Sequence, residues 1–199
     1  MNEISNNPVY SKQALEFVTV ATEYCNFIEN SDKISKKDFI DKMHKLLTFV
    51  YQKAVLLPDL ELLFDANEKF VTELDWNNVK DKVNATLVSH DQFVQVENIE
   101  DYQEDTDAEY SLSELMADIY QELMDFVTIY QIGHEDSMND AIFDVKTTFE
   151  QFWGIKLLVL TQALHKIIYS KVDLSNEENT DSSEPKIDDE NWVNKQWGE

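Results

Sequence analysis

Glycine and proline are nearly missing from this chain, three of each in 199 residues, and that scarcity removes the tight turns an all-β fold needs. Apolar residues recur instead at three-and-four spacing over long stretches, the period of helices buried on one face. The expected fold is all-α: a multi-helix bundle of about five main helices with antiparallel neighbours and a disordered acidic C-terminal tail. The domain is expected over 1–172, divisible into sub-bundles 1–90 and 111–172 joined by an acidic irregular segment, 91–110. The tail then covers 173–199.

Local signals place the elements. A first helix is expected from about Pro8 to Asn30, since proline suits a first turn and Ala14, Leu15, Val18, Ala21, Cys25 and Ile28 share a face. A second follows Ser35, whose hydroxyl can cap it with Asp38 three residues on, and Pro58 stops it. Leu60, Leu62, Leu63 and Phe64 suggest a short helix, and Asp75 reads as the cap of a third helix through Trp76, Val79, Val83 and Leu87. From His90 to Tyr110 an irregular loop is expected. Its Phe93, Val94, Val96, Ile99 and Tyr102 are too many large apolar groups for a solvated linker, so it should pack across the helices. Ser111 with Glu114 predicts a capping box, and Gly133 a left-handed stop. A last helix is expected from near Ser137, with Asp140 completing its cap, to Lys171, with Gly154 as a site for a bend.

Charge narrows the function. Forty acidic residues against 16 basic ones give a net charge of −24, which opposes ordinary phosphate-backbone binding. Every basic residue is a lysine, so the chain has no guanidinium for an arginine finger. The lone Cys25 forms no intrachain disulfide and is expected to be a small buried hydrophobe. Met1 to Lys12 lacks the pattern of a signal peptide, and no apolar run approaches the ~18 residues that span a bilayer. A cytoplasmic protein without membrane contact is the expectation.

The strongest chemical candidate lies on the helix after Ser111. At ~100° per residue, Leu112, Leu115, Ile119, Leu123, Phe126 and Tyr130 form its core face, while Glu114, Asp118, Glu122 and Asp125 make a carboxylate stripe along one flank. Such a stripe can hold Mg²⁺ or Mn²⁺, which favour carboxylate oxygens, or it is a solvated charged face. Lys156 has two placements. A straight helix puts it in an apolar sector where it pairs with Asp118 or Glu122, and a bend at Gly154 swings it into solvent. The bend is the favoured of the two.

Two family patterns can be matched. Glu122-x-x-Asp125, preceded by Glu97-x-x-Glu100, resembles the paired motifs of MazG-type nucleotide pyrophosphohydrolases. That resemblance implies a magnesium site and a nucleoside triphosphate cut to monophosphate and pyrophosphate. The second covers Leu112 to Ile168: the run Ala117-Asp118-Ile119-Tyr120-Gln121-Glu122-Leu123, then Gly133, Asp140-Ala141-Ile142, Phe149, Trp153-Gly154 and Leu164-His165. It is similar to an uncharacterised bacterial domain-of-unknown-function family common in Bacteroidetes-type genomes. The family pattern carries a histidine two positions after the Trp-Gly pair, where this chain has Lys156. The resemblance implies an all-α domain in which Asp118, Tyr120, Trp153, Lys156 and His165 form the polar positions of interest.

The favoured function is a non-enzymatic protein-interaction module with an acidic surface, meeting a basic partner through that surface or through Trp192 and Trp197 of the tail. Those tryptophans can equally fold back on the domain. The alternatives are a metal-dependent MazG-like pyrophosphohydrolase and an acidic mimic of nucleic acid.

Overall fold

The computed structural model describes residues 7–64, 68–95, 108–170 and 174. A 3-10 turn, Pro8–Tyr10, leads into α1 (Lys12–Glu29), followed by α2 (Lys36–Val55) and α3 (Glu73–Leu87). Two short antiparallel strands, β1 (Gln92–Gln95) and β2 (Ala108–Ser111), then precede α4 (Leu112–Ile132). The chain closes with α5 (Glu135–Thr148), a π turn at Phe149–Trp153 and α6 (Gly154–Tyr169). With α5, the π turn and α6 taken as one interrupted rod, five main helices pack together around a single core.

The hub is α4, which packs against α1, α3, α5 and α6, while α2 lies on α1 and α6. Its predicted apolar face from Leu112 to Tyr130 is buried, and so are Met116, Ala117 and Val127 from its other sides. A helix apolar on most of its circumference is stable only when neighbours enclose it. Its ends are set locally: Ser111 Oγ accepts the Glu114 N–H, and Gly133 takes the left-handed conformation at φ 83° that a side chain would strain.

Gly154 is absorbed by a π turn. Its N–H reaches the Phe149 carbonyl, five residues back, and a Cβ at Gly154 would stand 2.5 Å from that oxygen. The wider turn carries Trp153 to full burial, its indole N–H donating to the Val145 carbonyl and to Thr148 Oγ1.

Several local expectations need correction. The first α-helix starts at Lys12, because Ser11 accepts the Ala14 N–H while Pro8 belongs to a separate 3-10 turn. No helix forms among the described residues between Leu57 and Val71. Thr72, not Asp75, caps α3; Asp75 is the third residue of the helix and returns a bond to the Thr72 N–H, completing a reciprocal box. The segment expected to be a loop after His90 forms β1 and β2, pairing Phe93 with Tyr110, and Phe93 is buried. Val96, Ile99, Tyr102 and the tail from 175 onward lie outside the described residues. The last helix starts at Glu135, and Asp140 does not cap it.

Val88, at the C-terminal end of α3, has φ 53° and ψ −116°, and its side chain is 61% exposed. A β-branched residue there is strained by its own backbone, whereas glycine is not. Val88→Gly should stabilise the fold by about 1 kcal/mol, net of the extra freedom of the unfolded chain. Thermal unfolding should show Tm rising by about 2–4 °C; an unchanged or lower Tm would contradict the strain.

Candidate interaction site

Between α2 and α3 the chain crosses the groove between α5 and α4 without regular structure, and side chains of those helices hold its backbone. On the α5 side, Lys146 Nζ donates to the Leu57 carbonyl at 2.9 Å and pairs with Asp59, and Asn139 Nδ2 donates to the Glu61 carbonyl at 2.8 Å. Asp140 accepts the N–H groups of Leu63 at 2.8 Å and Phe64 at 3.0 Å. On the α4 side, Asp125 Oδ1 accepts from the N–H groups of Phe70 at 2.7 Å and Val71 at 2.9 Å. Asp125 Oδ2, buried and without a hydrogen-bond donor among the described residues, lies 3.5 Å from Lys69 Nζ.

Both acids are nearly inaccessible, Asp125 at 3% and Asp140 at 2%. A buried carboxylate is costly unless donors surround it, and here peptide N–H groups that a loop would otherwise leave to water supply them. Leu57 is buried and Leu60 and Val71 are partly buried, so the segment is anchored at both ends. Leu62, Leu63, Phe64, Phe70 and Leu74 nevertheless face outward, Phe64 at 64% and Leu74 at 69% exposure. Asp59, Glu61, Glu68 and Glu73 are interspersed among them.

Where this segment enters α3, an open cleft of about 340 Å³ is lined by Val71, Thr72, Glu73, Trp76, Asp118 and Gln121. The Trp76 indole N–H donates to Asp118 Oδ1 at 3.0 Å, and Lys156 Nζ meets Asp118 Oδ2 at 2.5 Å while lying 3.6 Å from the centre of the Phe152 ring. Lys156 therefore takes the paired placement, not the solvent-facing one, because the π turn keeps its side chain toward α4.

The predicted carboxylate stripe is divided among separate partners. Glu114 is exposed near the start of α4, Asp118 holds Trp76 and Lys156, and Glu122 and Asp125 bracket Lys69 at 3.9 Å and 3.5 Å. Among the described residues no group of three or more His, Cys, Asp or Glu side chains is arranged to hold a metal ion. Glu97 and Glu100 lie outside the described residues. Of the five polar positions, only Asp118 and Lys156 meet. Tyr120 donates to Glu29 Oε1 at 2.7 Å, and burial and then that carboxylate push its phenol pKa up. Trp153 serves the π turn, and His165 packs against His44 and Tyr169.

Sequence reasoning misses Asp140 as a loop anchor, and Trp76, Lys69 and Lys146 as members of this region. Asp140 carries a misleading local signal, since Ser137 three residues earlier imitates a cap. Lysine and tryptophan contacts across 42 to 89 positions leave no local signal at all.

Asp140→Ala should leave the Leu63 and Phe64 N–H groups unpaired and cost about 2 kcal/mol. Hydrogen exchange followed by NMR should show faster exchange at those two amides, with Phe70 and Val71 unchanged. Asp125→Ala should give the reverse pattern. Equal acceleration along the whole segment in either variant would mean that the two carboxylates do not act as separate anchors.

A family model described as a domain of unknown function (DUF5063) matches residues 8–170. The crystal structure of protein BF1032 from Bacteroides fragilis is similar at a TM-score of 0.74 and 32% identity, over 83% of this chain and 98% of that chain. No curated protein matches this sequence.

Proposed function

Since this chain belongs to the DUF5063 family, whose name carries no activity, we propose from its own surface that it is a non-enzymatic protein-interaction module. The observation that carries this reading is the apolar segment between α2 and α3. Four backbone N–H groups are held by two buried carboxylates, while large apolar side chains stay in water. Apolar side chains offered on a fixed backbone bind at a lower entropic cost than the same side chains on a free loop. The acids interspersed among them select the partner: an amphipathic segment whose apolar side docks on Leu63, Phe64 and Leu74 and whose lysines or arginines meet Asp59, Glu61, Glu68 and Glu73. Charge favours such a partner at long range as well, because the chain carries −24 overall.

A synthetic Leu/Lys amphipathic helical peptide serves as the probe in an NMR titration of the full chain. Saturable shifts concentrated over residues 57–64 and 68–76 are expected, weakening as salt is raised. The double substitution Phe64→Ser with Leu74→Ser, both at exposed positions, should lower affinity by about tenfold or more. A peptide that does not saturate, or that shifts resonances evenly around the surface, would remove the reading.

A further inference from the structure

The face formed by α2 and α6 differs in character from the rest of this acidic chain. No Asp or Glu occurs among the 16 residues of α6, and although its Lys156 is taken by Asp118 and its Lys166 lies over Phe93, α2 adds Lys36, Lys37, Lys42 and Lys45 against Asp38 and Asp41, with Lys53 turned to Glu16 of α1. On the side of α6 away from the core, Ile155, Leu158, Gln162, His165 and Tyr169 recur at three-and-four spacing. Ile155 is 66% exposed and Tyr169 71%, and Leu158 is exposed with them.

α2 runs antiparallel alongside. His44 meets His165 with ring centres 5.7 Å apart, and Tyr51 meets Phe149 at 5.3 Å. This register brings Lys36 and Lys37, at the start of α2, beside the end of α6. The family match stops at residue 170, at that same end. Leu174, just beyond it, packs against the core, so the remaining chain starts from the body of the domain.

We propose that the α2–α6 face is the docking surface for this chain's own C-terminal tail, with Trp192 and Trp197 seated on the exposed apolar stripe of α6. Chemistry and reach both favour this occupant. Residues 175–199 contain eight acids against Lys186 and Lys195, the complement of a lysine-bearing, carboxylate-poor face. Tryptophan is the side chain that gains most from an apolar seat with polar edges, and Gln162 and His165 supply such edges. The stretch from Leu174 to Trp192 reaches at most about 60 Å, while the 16 residues of α6 span about 24 Å. A second copy is the poorer occupant, because two chains of this charge repel. The tail would thus cover one interaction face of the module without touching the segment between α2 and α3, so this inference and the preceding one can fail separately.

Asn194→Cys in the full chain gives a spin-label site in the tail. Cys25 should stay unmodified, since it is 2% exposed and burial drives its thiol pKa up. The expected NMR result is loss of amide signals along Ile155–Tyr169 and along the α2 edge from Lys37 to Thr48, with residues 57–74 retained. Signals should return when Trp192→Ala and Trp197→Ala are added. They should also return with Ile155→Glu, at an exposed position. Loss at 57–74 instead, no selective loss, or loss that survives those substitutions would overturn the proposal. So would equal loss in an isotope-labelled chain without the spin label mixed with unlabelled spin-labelled chain, which would identify a second copy as the occupant.

Discussion

Carboxylates buried against peptide N–H groups hold the non-helical parts of this protein in place. Asp91, Asp125 and Asp140 are each within 3% of complete burial; Asp125 and Asp140 receive backbone donors from a segment without regular structure, and Asp91, itself outside any helix, receives one from the first turn of α4. Asp91 accepts the Ser113 N–H at 2.7 Å and the Ser111 and Ser113 hydroxyls, while its own carbonyl accepts the Leu112 N–H. It thereby fixes the start of α4, where a negative charge also meets the positive end of the helix. Asp125 and Asp140 do the same for the crossing segment. A charge taken out of water gains nothing unless its lone pairs are filled, so each of these acids specifies the path of the chain around it more than it adds to net stability.

With those anchors set, the helices can differ in how completely they are enclosed. α4 is covered by four neighbours and can be apolar almost all round. The rod of α5 and α6 must both cover α4 and place Lys156 on Asp118, and the π turn between its halves serves both needs. It admits Trp153 to the core at a position where Gly154 lets the Phe149 carbonyl come close. The Lys156–Asp118–Trp76 contact then ties α6, α4 and α3 together at the edge of the cleft.

The legible parts of the sequence are those whose physics is local. Ser35 and Ser111 mark helix starts through bonds three positions along and Gly133 marks an end by its own left-handed backbone, and the apolar stripe of α4 needs only its own periodicity. Thr72 and Asp75 show the limit of local reading: both residues belong to the box, but which one begins the helix depends on the chain before it. The strands flanking 96–107 are four residues each, too short for alternation to stand out from an acidic background. The carboxylate stripe follows from the period of α4 alone and says nothing of partners, because Lys69, Trp76, Lys156 and the amides of Phe70 and Val71 arrive from distant parts of the chain. For the same reason the five polar positions have separate partners, from buried Trp153 to exposed His165, without forming one site.

Overall composition hides a segregation that the folded structure makes visible. The net charge belongs to the molecule as a whole, but α6 contains no acid and α2 contains five lysines against two acids, and screening limits what a bound segment senses to charges within a Debye length or so. At that range a partner or tail senses the nearby face more than the total charge. Two apolar surfaces exposed on the same fold, one bordered by acids and the other by lysines, therefore cannot share a ligand. The acid-bordered segment opposes the tail by like charge, and the α2–α6 face repels a basic partner. Charge placed around similar hydrophobic surfaces, more than the hydrophobic surfaces themselves, supplies the discrimination.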